Sequence, residues 1–333
     1  MNSSLAQAVL AGDRLALARL LSRVENDTAE GRAALDELFP LTGRAHLIGV
    51  TGAPGTGKSS LVNQLAVFFR QQGQKVAIIA VDPSSPFTGG AVLGDRVRMK
   101  DLQGDAGVFI RSMASRGSLG GLATATAQMA QVFDAAGFEI VIIETVGAGQ
   151  SEVDIARLAH TTLVVEAPGL GDDIQAIKAG ILEIADILVI NKADRPGVES
   201  TERALKSMLE LAHPVQRIFL HHGQMMTLAG EEPTAGLWIP PICKTVAPDG
   251  SGLPELVQAI EKHADYLRQS GDWIRRDRAR LEAEFDLLLQ ETLVAQFRAH
   301  LTESRLQSAI ASIHSRQASP REVLAKLLEE MPR

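Results

Sequence analysis

The chain has 333 residues, 45% of them hydrophobic, and its formal net charge at pH 7 is −7. A chain of this size can bury one large core, and we expect one main domain with helical additions. The negative charge argues against a general affinity for nucleic acid or anionic membranes. The single cysteine, Cys243, excludes an internal disulfide and a thiolate-rich metal cage, and its apolar neighbours predict a buried structural thiol.

The sequence carries no recognisable membrane or export signal. No stretch approaches the about 18 consecutive apolar residues that a membrane-spanning helix needs. The N-terminus lacks a basic flank and an apolar secretory core, and Asp13 and Glu25 are unusual in a transit peptide. We therefore expect a cytoplasmic protein.

Helical and strand-like segments follow one another in a clear order. Residues 4–40 show helical spacing of apolar residues, with a break at Gly12 and Asp13. Beyond them, apolar runs alternate with segments long enough for helices, and the predicted strands are residues 47–50, 76–81, 108–110, 140–143, 163–165, 187–190 and 239–245. Continuous apolar runs are typical of strands buried on both faces, so the pattern predicts a doubly wound, mostly parallel α/β domain.

A glycine-rich turn follows the first predicted strand and precedes a predicted helix. Residues 52–59 read Gly-Ala-Pro-Gly-Thr-Gly-Lys-Ser, the pattern of a phosphate-binding P-loop. Backbone N–H groups and the helix N-terminus face the phosphates in such a loop, Lys58 reaches the outer phosphates, and the Ser59 hydroxyl can ligate Mg²⁺. The sequence therefore predicts binding of a nucleoside triphosphate. The predicted contacts are Gly52, Ala53, Pro54, Gly55, Thr56, Gly57, Lys58, Ser59 and Ser60.

Acidic residues follow two further strands at the predicted carboxyl edge of the sheet. Asp82 follows the second strand and Glu144 the fourth, and ligands bind at this edge in doubly wound sheets. Both are candidates for holding Mg²⁺, and Glu144 could also orient the attacking water. The N–H of Gly147 could bond the γ-phosphate, and Asp95, in a glycine-rich segment, is expected near the phosphates. A plain turn at Asp82 and a surface ion pair at Asp95 are the alternatives.

The sixth predicted strand runs directly into Asn191-Lys192-Ala193-Asp194, an N-K-x-D motif. The Asp194 carboxylate can accept hydrogen bonds from the ring N–H and the exocyclic amine of guanine, whereas adenine has no matching pair of donors. Asn191 can bond the base or the loops beside it, and the methylene stem of Lys192 can cover the ring face. The motif therefore predicts GTP in preference to ATP.

The residues after Gly147 bear on the rate of hydrolysis. Phosphoryl transfer depends on positioning and charge stabilisation, and Ras-like switches use a glutamine to orient the water. This chain has Ala148 after the glycine, and Gln150 lies further along. We therefore predict slow intrinsic GTP turnover that rises when a partner orders the loops around Asp95 and residues 167–178.

Only helices are expected after residue 253, and one of them carries a long apolar stripe. Its members recur at intervals of four with one leucine beside them: Leu281, Phe285, Leu288, Leu289, Leu293 and Phe297. The stripe can pack on its own domain or on a second copy of the chain, and we favour a homodimer. The predicted organisation is a helical extension (residues 1–42), a P-loop GTPase domain (43–266) and a helical dimerisation arm (267–333).

Several segments together resemble the MeaB/ArgK family of metallochaperone GTPases. Besides the P-loop and the N-K-x-D motif, they are residues 11–18, 81–85, 88–90, 93–96, 144–152 and 168–178. The resemblance spans nearly the whole chain. Its most specific part is the combination of Glu144 with Gln150, Ser151 and Glu152.

This resemblance implies a homodimeric GTPase that attends an adenosylcobalamin-dependent acyl-CoA mutase, typically methylmalonyl-CoA mutase. It would gate cofactor loading and protect or reactivate the mutase. The implied phosphate and Mg²⁺ set is Lys58, Ser59, Asp82, Asp95 and Glu144, and the guanine set is Asn191, Lys192 and Asp194. The last base-contacting loop would fall at Lys244 and Thr245. The residues of an additional switch loop would be Gly169, Asp172, Gln175 and Lys178.

Two other functions remain alternatives. A nickel-delivery GTPase should have Cys and His ligands near its switches, whereas Cys243 is remote in sequence and the pair at residues 221–222 has no nearby acid or thiol. We interpret these two histidines as part of a solvated loop. A small-molecule kinase would need an acceptor pocket and a catalytic base, and it makes poor use of the N-K-x-D motif.

Overall fold

The computed structural model describes residues 4–83, 102, 104–115, 121–145, 151–169, 184–212, 218–221, 224–227 and 237–329. Contacts divide the chain into two compact units, Met1–Arg280 and Leu281–Arg333. The three-part organisation expected from the sequence, with boundaries after residues 42 and 266, stays a prediction.

Three short helices precede the sheet: α1 (Leu5–Leu10), α2 (Arg14–Glu25) and α3 (Ala29–Leu38). The predicted break between the first two is confirmed. Gly12 has a φ of 86°, which glycine adopts without strain. Asp13 then caps α2, because its carboxylate accepts hydrogen bonds from the N–H groups of Leu15 and Ala16. The buried apolar side chains of these helices pack over one face of the sheet.

The remaining elements of the first unit alternate between strands and helices. The strands are β1 (His46–Thr51), β2 (Val76–Pro83), β3 (Val108–Ser115), β4 (Ile140–Thr145), β5 (Thr161–Glu166), β6 (Ile187–Asn191), β7 (Ile218–His221), β8 (Gln224–Thr227) and β9 (Ile242–Thr245). The helices are α4 (Lys58–Gln71), α5 (Gly121–Ala135), α6 (Ser151–Leu158), α7 (Val198–Ala212) and α8 (Leu253–Ser270).

Seven of the strands form one parallel sheet in the order β3-β2-β4-β1-β5-β6-β9. Every residue of β1, β4, β5 and β6 is buried, because α5 and α6 cover one face and α4 and α8 the other. The strand order reverses at β1, so the carboxyl end of β1 is the expected ligand site. The predicted doubly wound, parallel fold is confirmed.

Several details differ from the sequence prediction. β3 continues to Ser115, five residues beyond its predicted end, and a third helix, α3, precedes the sheet where two helices were predicted. The last strand of the sheet begins at Ile242 and not at residue 239, because Pro240 and Pro241 have no N–H to donate to a neighbouring strand. Strands β7 and β8 form an antiparallel hairpin that was not predicted, and His221 lies in β7, so its assignment to a loop was wrong. Strands of four residues are too short to give a clear periodic signal.

The prediction of a buried thiol is confirmed. Cys243 lies in β9 with its side chain in the core beneath α8, and burial raises the pKa of its thiol to about 11. The group therefore stays protonated and unreactive at neutral pH.

Helices alone follow α8 in the described part of the chain: α9 (Asp272–His300), α10 (Glu303–His314) and α11 (Pro320–Glu329). The boundary between the two units falls within α9. Most of the predicted stripe on this helix is exposed, with Phe285 at 65% and Leu293 at 54%. Every helix in the described residues is too short or too polar to cross a lipid bilayer.

Candidate nucleotide-binding site

The P-loop lies at the carboxyl end of β1 and runs directly into α4. Gly52 has a φ of 138°, and a Cβ added there would lie 2.1 Å from the carbonyl oxygen of Val165 in β5. Gly57 has a φ of 91°, and its added Cβ would lie 2.5 Å from Nδ2 of Asn191. Both positions therefore require glycine for conformation and for space.

The Lys58 side chain folds back onto the loop that precedes it. Its ammonium donates hydrogen bonds to the carbonyl oxygens of Gly52 (2.8 Å) and Ala53 (2.9 Å), and the residue is buried. This arrangement places a positive charge beside the loop and at the N-terminus of α4, which is itself favourable for anions. Phosphate oxygens would give this ammonium stronger, charge-assisted partners than neutral carbonyls.

Ser59 and Glu144 meet at the base of the loop. The Ser59 hydroxyl donates a hydrogen bond of 2.6 Å to Oε1 of Glu144, which is only 2% exposed. The sheet brings these two residues together. Glu144 in β4 pairs with Val50 near the end of β1, and the P-loop leads from there to Ser59 in the first turn of α4. A hydroxyl and a carboxylate side by side are the oxygen donors that Mg²⁺ prefers, so these residues fit that ion.

The structure describes some of the other predicted site residues only in part. Asp82 is the residue before the last of β2, at the same carboxyl edge of the sheet and two residues beyond Ala80, which pairs with Glu144. The structure describes its backbone and not its side chain. Gly169 is exposed, with a φ of 85°. The remaining predicted residues lie outside the described part of the chain: Asp95, Gly147, Asp172, Gln175 and Lys178.

The Asn191 side chain connects two loops. Its amide nitrogen donates to the carbonyl oxygen of Thr56 in the P-loop at 2.8 Å. Its amide oxygen accepts from the Thr245 hydroxyl and from the N–H of Ala247, each at 3.2 Å. Asn191 is 1% exposed, so of the two roles that the sequence left open, the geometry favours bonding to the loops.

The other two residues of the N-K-x-D motif lie nearer the surface. Lys192 has a φ of 56°, and its ammonium donates to the carbonyl oxygen of Gly55, which draws the side chain along the P-loop. Asp194 is exposed on the turn after β6, and the N–H of Ala193 anchors this turn to the carbonyl oxygen of Thr245 at 3.0 Å. The turn therefore presents the Asp194 carboxylate to solvent, where a base could reach it.

Lys244 and Thr245 point in different directions from β9. The Thr245 hydroxyl bonds Asn191, whereas the Lys244 ammonium pairs with Glu202 on α7. Hydrogen bonds from Lys206 and Lys244 lower the pKa of the Glu202 carboxyl to about 2. Ala247 was not predicted, because it contributes only a backbone N–H, which any residue except proline supplies.

A parallel doubly wound sheet with a P-loop after its central strand and an N-K-x-D motif after β6 defines a guanine-nucleotide-binding P-loop protein. The sequence model of the family described as "Methylmalonyl Co-A mutase-associated GTPase MeaB" matches residues 17–302. The chain belongs to this family of GTPases, which confirms the predicted resemblance.

Individual relatives agree with this assignment. The chain is 41% identical over 331 residues to a Pyrococcus abyssi protein that is named as a GTPase, covering 99% of this chain and 97% of that one. It is 35% identical to GTPase ArgK of Escherichia coli (85% and 88% covered). It is 31% identical to the mitochondrial methylmalonic aciduria type A homolog of Mus musculus (78% and 58% covered).

A solved structure shares the fold. The crystal structure of a LAO/AO transport system kinase superposes with a TM-score of 0.65 and 26% sequence identity. The match covers 98% of this chain and 95% of that one.

Proposed function

We propose that the protein binds GTP with Mg²⁺, hydrolyses it to GDP and phosphate, and acts as a chaperone for an adenosylcobalamin-dependent acyl-CoA mutase. One observation carries the choice of nucleotide. Asn191 joins the P-loop to the loop after β9, so the phosphate-binding and base-reading segments form one hydrogen-bonded unit. Asp194 is exposed beside this unit, and its carboxylate matches the two donors of guanine.

The residues of the site divide into three roles. Phosphates would contact the P-loop and Lys58, and guanine would contact Lys192 and Asp194. The Mg²⁺ ligands would come from Ser59, Asp82, Asp95 and Glu144, and the bound ion would neutralise charge on the phosphates. The proposed catalytic set is Lys58, Asp95, Glu144 and the N–H of Gly147.

We further propose that hydrolysis is slow in the isolated protein and faster with a partner. Ala148 supports this, because it stands where Ras-like GTPases have a water-orienting glutamine. A partner that orders the segments around Asp95 and residues 167–178 would complete the site.

The proposed partner is methylmalonyl-CoA mutase. The protein would gate the loading of the cofactor into the mutase, and it would protect or reactivate the mutase. The support is the family description, which names a mutase-associated GTPase. The exposed stripe on α9 supports assembly as a homodimer, since an apolar surface of this kind is covered in most soluble proteins. The cytoplasmic location expected from the sequence stays a prediction.

Calorimetry tests the nucleotide. In the presence of Mg²⁺ we expect GTP to bind and ATP to give no comparable heat, and Lys58→Ala to abolish tight GTP binding because the phosphates lose their cation. Lys262→Ala, which removes an exposed lysine of α8, is the matched control and should bind GTP normally. A preference for ATP, or full GTP affinity in Lys58→Ala, would overturn the assignment.

The mutase role needs a separate experiment. The full-length protein, loaded with a non-hydrolysable GTP analogue, is used to capture proteins from its native host. We expect an acyl-CoA mutase subunit among them, absent when Lys58→Ala replaces the wild type. With the purified mutase, GTP turnover should then rise. Equal turnover with and without the mutase would contradict the proposal, whatever the result of calorimetry.

A kinase is the second candidate, because the solved structure with the same fold is described as a transport system kinase. Such an enzyme would transfer the γ-phosphate to an acceptor hydroxyl or carboxylate and not to water. Radiolabelled γ-phosphate distinguishes the two: label released as inorganic phosphate supports a GTPase, and label on an acceptor supports the kinase.

A further inference from the structure

Three of the eight histidines lie together at the amino edge of the sheet, opposite the P-loop. His46 is the first residue of β1, His160 precedes β5, and His263 lies on α8. All three are buried, and none of them belongs to the proposed nucleotide site. The first turns of α9, residues 272–280, contact this cluster within the first unit.

The bonding of His160 fixes its protonation state. Nδ1 accepts a hydrogen bond from the N–H of Leu47 at 3.0 Å, so it carries no proton. Nε2 then carries the ring proton and donates it to Oδ1 of Asp277, at 2.9 Å, on α9. A second proton on the ring could go only to Nδ1, where it would break the bond to β1. His160 therefore joins β1 to α9 only as a neutral ring.

His46 and His263 share one hydroxyl. Oγ1 of Thr161 lies 2.7 Å from Nε2 of His46 and 2.9 Å from Nδ1 of His263. The hydroxyl has a single proton, so it can donate to one ring at most, and the other ring then donates an N–H to its oxygen. If both rings were cations, Thr161 would face two donors and its own proton would lose its acceptor. Whichever ring accepts the hydroxyl proton has no proton on that nitrogen and is therefore neutral.

The surrounding charges leave little compensation for a further cation. The two carboxylates that contact the histidines are already paired with arginines: Asp186 with Arg276, through two bonds of 2.7 Å, and Asp277 with Arg280, at 2.6 Å. The indole ring of Trp273 stacks on the ring of His160, and the two ring centroids are 3.9 Å apart. The ionisable groups that face the cluster from β1, β5, β6, α8 and α9 are His46, His160, Asp186, His263, Tyr266, Arg268, Asp272, Arg276, Asp277 and Arg280.

We infer that this histidine cluster is a proton-dependent latch: residues 272–280 of α9 dock on the amino edge of the sheet only while His46 and His160 are neutral. Acidification would then loosen the start of α9 before the rest of the domain unfolds. The inference goes beyond the proposed function, since it concerns neither the nucleotide nor the mutase.

The direction of the pH effect follows from burial. Burial lowers the pKa of His46 well below its ordinary value of 6.5, and the nearby cations add to the effect. Burial also lowers the pKa of His160, against the opposing effect of Asp277. The open state binds protons more readily than the docked state, so docking is fully stable above pH 6.5 and weakens as the pH falls below it. Because the pKa of His46 lies well below 6.5 in the docked state, this residue alone raises the opening constant by up to about tenfold between pH 7.5 and pH 5.5.

Hydrogen exchange of the full-length protein tests the latch. Exchange is measured at about pH 7.5 and about pH 5.5 and corrected for the intrinsic pH dependence of amide chemistry. We expect the opening constant of residues 272–280 to rise about tenfold or more at the lower pH, while that of α4 changes much less. An unchanged constant in residues 272–280, or an equal rise in α4, would overturn the inference.

Two sets of variants separate the latch from general acid sensitivity. In His46→Gln/His160→Asn the amides replace the ring nitrogens without titrating, so the pH dependence of residues 272–280 should disappear. Its persistence would contradict the latch. His300→Gln/His314→Gln removes two exposed histidines and should leave the dependence as in the wild type. If the first variant does not fold, histidine NMR titration of the wild type decides, since ordinary titration of His46 and His160 near 6.5 would overturn the inference.

Discussion

Asp194 is the residue on which base selection depends in our proposal. It lies exposed on the turn after β6, with the turn anchored to β9 through Ala193. In Asp194→Asn the amide supplies a donor where the carboxylate accepted, so we expect weaker GTP binding and a gain for xanthine nucleotides. Competition between GTP and XTP for the binding site measures this change. Asp265→Asn, on the exposed side of α8, serves as control, and an unaltered base preference in Asp194→Asn would remove the residue from the pocket.

Asn191 is buried, and its side chain connects the P-loop to the loop after β9. Asn191→Ala leaves the Thr245 hydroxyl and the Ala247 N–H without this partner. We expect the free energy of unfolding to fall by about 1–3 kcal/mol, measured by denaturant titration. GTP affinity should fall as well, since the P-loop loses its attachment to the loop after β9.

Thr245→Val is the matched comparison for Asn191→Ala. It removes one of the bonds to the Asn191 oxygen and keeps the one from Ala247, so its cost should be smaller, about 1 kcal/mol. If the two variants were equally stable, Asn191 would not be the link between the loops.

At the scale of elements, the exposed stripe on α9 predicts self-association. Leu289→Glu places a charge on the stripe, and we expect the proposed homodimer to dissociate because the charge would be buried at the interface. Light scattering coupled to gel filtration measures the change in mass. Gln290→Glu adds the same charge to an exposed neighbour outside the stripe and should leave the dimer intact. A monomeric wild type, or a dimeric Leu289→Glu, would exclude the stripe as the interface.

The elements also show which parts of the fold the sequence predicts. β1, β4 and β6 were predicted from continuous apolar runs, since strands buried on both faces tolerate few polar residues. The hairpin of β7 and β8 was missed because each strand has four residues, too few to distinguish a period. β9 begins later than its apolar run, because the two prolines before Ile242 have no N–H to donate to a neighbouring strand.

In the candidate site too, some features could be predicted from the sequence and others could not. The proximity of Ser59 and Glu144 follows from the rule that ligands gather where parallel strands end, which needs only the strand order. The partners of Asn191 could not be predicted, because two of them are backbone groups of Thr56 and Ala247 and leave no pattern in the sequence. The histidine cluster was missed for a related reason, since its members come from segments far apart in the chain.

For the whole molecule, nucleotide binding should be visible as stability. A ligand that binds only the folded state adds about 2.7 kcal/mol to the free energy of unfolding at a hundred times its Kd. We expect GTP with Mg²⁺ to raise the thermal midpoint of the wild type, and chelation of the metal to remove most of that rise. ATP at the same concentration is the control. A rise that survives chelation would show that the ion contributes little to binding.

β1 connects the histidine cluster, which includes its first residue, to the P-loop, which follows its last residue. It has six residues, begins at His46 and ends directly before Gly52, so its length is about 20 Å. β1 pairs with β4 on one side and with β5 on the other, and helices cover both faces of the sheet. The strand therefore fixes the separation between the P-loop and the histidine cluster at about 20 Å.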